Sequence, residues 1–217
     1  MRNELSRAEL EQSETERQLT DAKLKTLQAQ IEPHFLFNTL SNAMGLIHSD
    51  PHAAEETLQE LTTLLRHSLS RTRTESTTLQ QEFDLVRAYL RINQIRMGKR
   101  LNFEVTSEPE LDQQTLPPLL VQPLVENAIS HGLEPSETGG TVCVHAKAQN
   151  NELHIEVRDT GLGLEADTGT AGSGTGLANV RARLHSLYGQ NARLRLLPNS
   201  PAGVVAQLIL PLQLESA

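Results

Sequence analysis

The sequence predicts an α+β protein. An N-terminal helical hairpin, dimerising into a four-helix bundle, is followed by an α/β sandwich with a mixed sheet and helices on one face. Three observations carry this reading. Residues 31–69 hold two runs with apolar side chains at helical spacing, separated by Asp50-Pro51. From Leu101 onward, short runs alternate or concentrate apolar residues as strands do. Helical stretches around Asn127 and over 177–188 interrupt those runs, giving a sheet the helices it needs to cover a face. The expected division is 1–30, 31–78 and 79–217.

Residues 1–30 are charged and Gln-rich and contain no Gly or Pro, so they read as a solvated helix. A seven-residue spacing picks out Leu5, Ala8, Gln12, Thr15, Leu19, Ala22 and Thr26, a seam that is half polar. The segment is either a signal-transmitting helix, paired only when its neighbours hold it, or a frayed terminus. In the next run Leu36, Leu40, Ala43 and Ile47 share one face, and His34, Asn38, Ser41, Gly45 and His48 fall on the other. Pro33 removes a backbone N–H and crowds the preceding turn, which predicts a kink beside His34. Asp50 is an N-cap and Pro51 a first-turn proline for a second helix carrying Ala54, Leu58, Leu61, Leu65 and Leu69. A hairpin this narrow cannot bury both apolar faces alone, and pairing with a second copy is the natural solution.

A further amphipathic helix is expected over 79–98, with Phe83, Val86, Leu90 and Met97 apolar, then a strand over 101–105. Pro117-Pro118 ends the connection, and the helix bearing Asn127 begins near Leu120. Strands over 141–148 and 153–157 flank the turn Gln149-Asn150-Asn151. After the helix 177–188, strands over 192–197 and 204–210 close the chain.

The net charge of −8 argues against a direct nucleic-acid binder, which shows a basic stripe. Aromatic residues are 3% with no Trp, so the core must be mainly aliphatic. The single Cys143 cannot form an internal disulfide, which fits a reducing cytosol. No stretch is long and apolar enough to span a bilayer.

Three stretches point to chemistry: Glu126-Asn127-Ala128-Ile129-Ser130-His131-Gly132, Asp159-Thr160-Gly161-Leu162-Gly163 and Gly172-Ser173-Gly174-Thr175-Gly176-Leu177. Gly permits close approach of backbone to ligand, and a Gly turn running into a helix can cradle phosphate. Together they suggest a nucleotide pocket. In order and spacing they resemble the N, G1 and G2 boxes of the ATP-binding domain shared by histidine kinases, gyrase and MutL. The stretch Gln30-Ile31-Glu32-Pro33-His34-Phe35-Leu36-Phe37-Asn38-Thr39-Leu40 resembles the phosphoacceptor box of LytS-type (autolysin sensor) histidine kinases, and Gly176 to Leu184 with Tyr188-Gly189 is similar to the same subfamily. The resemblance covers roughly residues 25–212.

The resemblance implies the core of a sensor histidine kinase of a two-component system: a phosphoacceptor and dimerisation hairpin, then an ATP-binding catalytic domain. ATP with Mg²⁺ would phosphorylate His34, and an aspartate of a response regulator, often one with a LytTR DNA-binding domain, would receive the phosphoryl group. Asn127 would ligate Mg²⁺, with Glu126 assisting, because an amide or carboxylate oxygen suits a hard cation. Asp159 would read adenine by accepting its exocyclic N–H. Gly161 and Gly163 would pass close to the base, Gly172, Gly174, Gly176 and Leu177 would line the phosphates, and His131 would reach a phosphate. An acidic base follows the acceptor in many histidine kinases, but here Phe35 follows His34; Asn38, one turn on, is the candidate for orienting the imidazole. The family's membrane-spanning or sensor segments are not in this chain, which is expected to be the cytoplasmic part of a membrane sensor. Two rival readings stand beside this one. One is a degenerate kinase that binds nucleotide and partner without transfer. The other is a gyrase-type hydrolytic ATPase, against which stands Pro123 at the position four before Asn127 where the hydrolytic members carry Glu.

Overall fold

The computed structural model describes residues 33–71, 76–163 and 175–212. The expected segment 1–30 lies outside the described residues, as does the turn preceding Pro33 on which the kink expected beside His34 depends. Helix α1 spans Pro33–Leu46 and α2 spans Pro51–Arg71. The Asp50 carboxylate accepts the Ala53 N–H at 3.1 Å, so the cap predicted from Asp50-Pro51 is formed.

The hairpin buries part of the stripe its periodicity suggests: Ala43, Ala54 and Leu61 are buried, and Leu36 and Leu65 pack on the core. Thr39 and Ala43 of α1 are buried, with Thr57, Leu61 and Leu64 of α2, whereas Leu40, Ile47 and Leu58 are exposed. Thr39 can be buried because its hydroxyl donates to the Phe35 carbonyl at 2.8 Å, and Thr57 likewise donates to Ala53 at 2.7 Å. Phe37 and Met44 are 68% and 63% exposed, so Phe37, Leu40, Met44 and Ile47 form an apolar stripe facing away from the other described residues. Leu61 and Leu64 join the main hydrophobic core, and Phe35, Leu36 and Leu65 pack against it.

Strand β1 (Thr77–Thr78) leads into helix α3 (Leu79–Met97). A capping box starts α3: the Gln81 N–H donates to the Thr78 hydroxyl at 3.2 Å, and the Gln81 side chain accepts the Thr78 N–H at 3.3 Å. This helix is buried nearly all round, between the hairpin and the sheet. Strand β2 (Leu101–Ser107) follows, then the two-residue strand β3 (Thr115–Leu116), which pairs antiparallel with β1. Helix α4 (Gln122–Asn127) widens into a π-helical turn over Ala128–Leu133. Strands β4 (Gly140–Gln149) and β5 (Glu152–Asp159) form a hairpin whose turn residues Asn150 and Asn151 both have positive φ. Asn tolerates that region better than most residues, which fits a two-residue turn. Helix α5 (Thr175–Tyr188) and strands β6 (Arg193–Pro198) and β7 (Val204–Pro211) complete the described chain.

The main sheet has five strands in the order β2-β4-β5-β7-β6. Only β2–β4 is parallel; the other pairs are antiparallel, so the sheet is mixed. Val142, Val144 and Ala146 of β4 align with Val157 and Ile155 of β5 and with Ala206 and Leu208 of β7 on the buried face. Helices α3, α4 and α5 contribute Phe83, Val86, Leu124, Ile129, Val180 and Leu184 to the same core. The fold is the expected α+β arrangement, helices first and then a mixed sheet.

Candidate nucleotide site

Helix α4 is the axis of the site, and two charged side chains fix its entry. Glu82 of α3 has no exposed surface, and its carboxylate accepts the backbone N–H groups of Leu119, Leu120 and Val121 at 2.8, 3.1 and 3.1 Å. Leu119 has φ of 60°, an uncommon conformation for a non-glycine residue that this cradle holds in place. From the other side Arg183 of α5 donates to the Pro118 carbonyl at 2.5 Å. The β1–β3 ribbon brings these segments together, with the Leu79 N–H bonded to the Gln114 carbonyl at 2.9 Å.

Asn127 ends the α-helical part of α4 and is half-buried, as are Glu126 before it and His131 on the π turn. The Glu126 carboxylate accepts the Gln122 side-chain N–H at 2.7 Å. The π turn carries the chain on to Gly132, whose carbonyl accepts the Leu162 N–H at 3.1 Å. Asp159, at the end of β5, is 3% exposed. A Cβ on Gly132 would lie 2.9 Å from Asp159 Oδ1, and one on Gly161 would lie 2.3 Å from the Gly132 carbonyl carbon. The first Gly turn therefore lies directly against the end of the Asn127 helix, at a separation only glycine allows.

Burial pushes the Asp159 carboxyl above its ordinary value, and hydrogen bonds from the Gly161 and Val204 backbones pull it back down. The Gly161 N–H donates to Oδ1 at 2.9 Å. Gly203, with φ of 103°, closes the back: a Cβ there would lie 2.0 Å from the Asp159 carbonyl oxygen. The Asn199 side chain donates to that same oxygen at 2.7 Å. Thr160 ties the turn to β4 by donating its N–H to Thr141 and accepting the Thr141 N–H, at 3.1 and 2.9 Å.

At the opposite end of α4, a Cβ on Gly176 would come within 3.9 Å of Pro123. Leu177 packs on the core and so anchors the start of α5 beside α4. The structure thus brings Asp159 and Gly161 against the Gly132 end of the segment that carries Glu126, Asn127 and His131, and Gly176 and Leu177 to its other end, with Gly163 beside Gly203. Gly172 and Gly174 lie outside the described residues. His34 lies in the first turn of α1, its side chain outside what is described, and Asn38 is exposed one turn on. Gly203, Asn199, Thr141 and Glu82 build the site without having been singled out from sequence. Arg96 reads from sequence as a surface charge, but it is held by Glu134 and by Asn93, the latter at 2.6 Å. Among the described residues no group of three or more His, Cys, Asp or Glu could hold a metal by itself.

These features match known families in both halves of the chain. Residues 22–101 match the family model described as "Histidine kinase", and residues 112–214 match "Histidine kinase-, DNA gyrase B-, and HSP90-like ATPase". The chain belongs to the histidine kinases, its second half being their ATPase-type domain. Within that family it is similar to the sensor protein LytS of Staphylococcus epidermidis, at 33% identity over 95% of this chain and 36% of that protein. The sensor histidine kinase/phosphatase LytS of Staphylococcus aureus is also 33% identical, over 95% of this chain and 37% of its own length. The chain spans little more than a third of either relative. The catalytic domain of histidine kinase ThkA shares the fold, with a TM-score of 0.50 and 16% identity over 64% of this chain and 98% of that one.

Proposed function

We propose that this chain is the kinase core of a two-component sensor, which phosphorylates His34 from ATP and passes the phosphoryl group to an aspartate of a response regulator. The observation that carries this is the buried Asp159 acceptor, set in a glycine cradle against the end of the Asn127 helix. An acceptor enclosed in this way selects a base with an exocyclic N–H donor, which is adenine and not guanine at that edge.

The geometry supports a division of labour. Asp159 reads the base, and Gly161 and Gly163 allow it to approach. The start of α5, at Gly176 and Leu177, offers backbone N–H groups to phosphate, with Gly172 and Gly174 as the preceding turn. His131, on the π turn, would reach a phosphate. Asn127, assisted by Glu126, supplies oxygen ligands for Mg²⁺. The described residues hold no complete metal cluster, which fits an ion that takes most of its ligands from phosphates and water. When bound, ATP–Mg²⁺ supplies the transferable phosphoryl group. The protein's work is then positioning and charge neutralisation. His34 is the nucleophile through a neutral imidazole nitrogen, and Asn38 orients that ring.

The segments 1–30, 31–78 and 79–217 are proposed as signal helix, phosphoacceptor hairpin and catalytic domain. The exposed stripe Phe37, Leu40, Met44 and Ile47 supports a homodimer through the hairpin. A cytoplasmic location, attachment to a membrane sensor and a LytTR-type regulator belong to the same proposal. Pro123 beside Gly176, where a hydrolytic member would need a base, supports transfer over hydrolysis.

Labelling with the two purine triphosphates tests the base-reading site. γ-Labelled ATP is expected to label the chain, GTP is not, and Asp159→Ala is expected to lose the ATP label. Equal labelling from ATP and GTP would contradict the assignment of Asp159.

A further inference from the structure

Transfer to His34 requires the phosphoacceptor segment to meet a nucleotide held by a different part of the chain. Bringing two reacting groups together is a large share of the barrier for such a reaction. Any contact that holds α1 against the nucleotide half therefore acts on the rate. One contact does this at the residue next to the acceptor. The Phe35 ring stacks on Tyr89 of α3, with centroids 5.0 Å apart and an interplanar angle of 29°.

Tyr89 is itself buried, 6% exposed, and its surroundings reach the site. Burial, then the charges of Glu126 and Glu134, push its hydroxyl above the ordinary range, while Arg96 and a hydrogen bond with Asn93 act in the opposite sense. Glu126 is the neighbour of Asn127, and Glu134 follows the π turn that carries His131. Arg96 bridges Glu134 to Asn93, and Asn93 donates to the Tyr89 backbone carbonyl at 2.9 Å. Tyr89 thus stacks on Phe35 through its ring, and its backbone carbonyl is tied through Asn93 and Arg96 to Glu134.

We propose that Tyr89 is a positioning residue for phosphoryl transfer, docking the His34 segment onto the nucleotide-binding half by stacking on Phe35 of the same chain. This rests on the kinase reading above. Tyr89 touches neither nucleotide nor His34 in this role; it acts through Phe35. Leu61 and Leu64 anchor α2 in the core independently, and Leu36 also packs on it, so weakening the ring pair loosens the first turn of α1 without detaching the hairpin.

The test uses the whole chain and the variants Tyr89→Leu, Tyr89→Phe, Phe35→Leu and the Phe35→Leu/Tyr89→Leu pair. The rate of label incorporation at saturating ATP and the affinity for ATP are measured for each. Tyr89→Leu and Phe35→Leu are each expected to slow incorporation about three- to tenfold, the effect of losing one aromatic pair. ATP affinity should stay within about twofold, and the double variant should be no slower than the slower single one. Tyr89→Phe, which keeps the ring, should restore the rate. Unchanged or faster incorporation in Phe35→Leu would overturn the proposal. So would a Tyr89→Leu defect that appears only as lost ATP affinity. Absence of label on the parent chain would remove the kinase reading and this inference with it. A labelled parent with indifferent variants would remove this inference alone.

Discussion

A buried carboxylate loses hydration, and Asp159 recovers only part of it from the Gly161 and Val204 backbones. Its raised pKa has a defined sign. The protonated form cannot accept on that oxygen, so adenine-nucleotide affinity should fall as pH drops through the raised value, at a higher pH than for an ordinary carboxylate. Nucleotide binding favours the ionised form and should therefore release protons in that window. In the free protein the same shift favours folding below the unfolded-state pKa, and that contribution is lost as pH rises through the folded-state value. Calorimetric titration with ATP across the acidic range checks this; Asp159→Asn should bind about ten- to a hundredfold more weakly and lose the pH slope. The glycines of the turn make a second prediction. Gly161→Ala places a methyl group 2.3 Å from the Gly132 backbone and should destabilise the protein by about 2 kcal/mol or more in urea unfolding. The neighbourhood of Asn127, Asp159 and Gly161 was legible in the sequence because each of these stretches is local. Gly203 and Asn199 were not, because only the β5–β7 pairing brings them beside Asp159 from some 40 residues away.

At the scale of elements, helix α4 owes its placement to the two chain segments that pin its entry. Glu82 accepts three backbone N–H groups that a neutral amide cannot all satisfy. Glu82→Gln should cost about 3 kcal/mol and weaken nucleotide binding as well, because the loop it holds begins the Asn127 helix. A circular-dichroism melt alongside a nucleotide titration measures both. The helices and long strands were readable from periodicity within a residue or two. The β1–β3 ribbon was not, since two residues carry no period. Nothing in the sequence marks Glu82 as buried, and only the fold shows the orphaned amides of residues 119–121 that make its burial tolerable. On α1 the expected stripe holds at Leu36 and Ala43 and fails at Leu40 and Ile47 for a related reason. Periodicity marks apolar positions but does not say which of two apolar faces the chain covers itself, and Thr39 is buried where Leu40 was expected.

Among the described residues, nothing covers that second face. Phe37, Leu40, Met44 and Ile47 lie at three- and four-residue spacings along α1, and Leu58 of α2 is also exposed. This is the pattern of a helix waiting for a partner helix. Phe37→Ser combined with Met44→Ser should shift sedimentation from dimer toward monomer while leaving ATP affinity within about twofold, since neither residue belongs to the core that supports the site. The most direct measurement remains the chemistry at His34. The native chain and His34→Ala are incubated with γ-labelled ATP and Mg²⁺, and the bound label is challenged with acid and with base. The account predicts acid-labile, base-stable label on the native chain and none on the variant; equal label on both, or free phosphate released with no labelled protein, would contradict it.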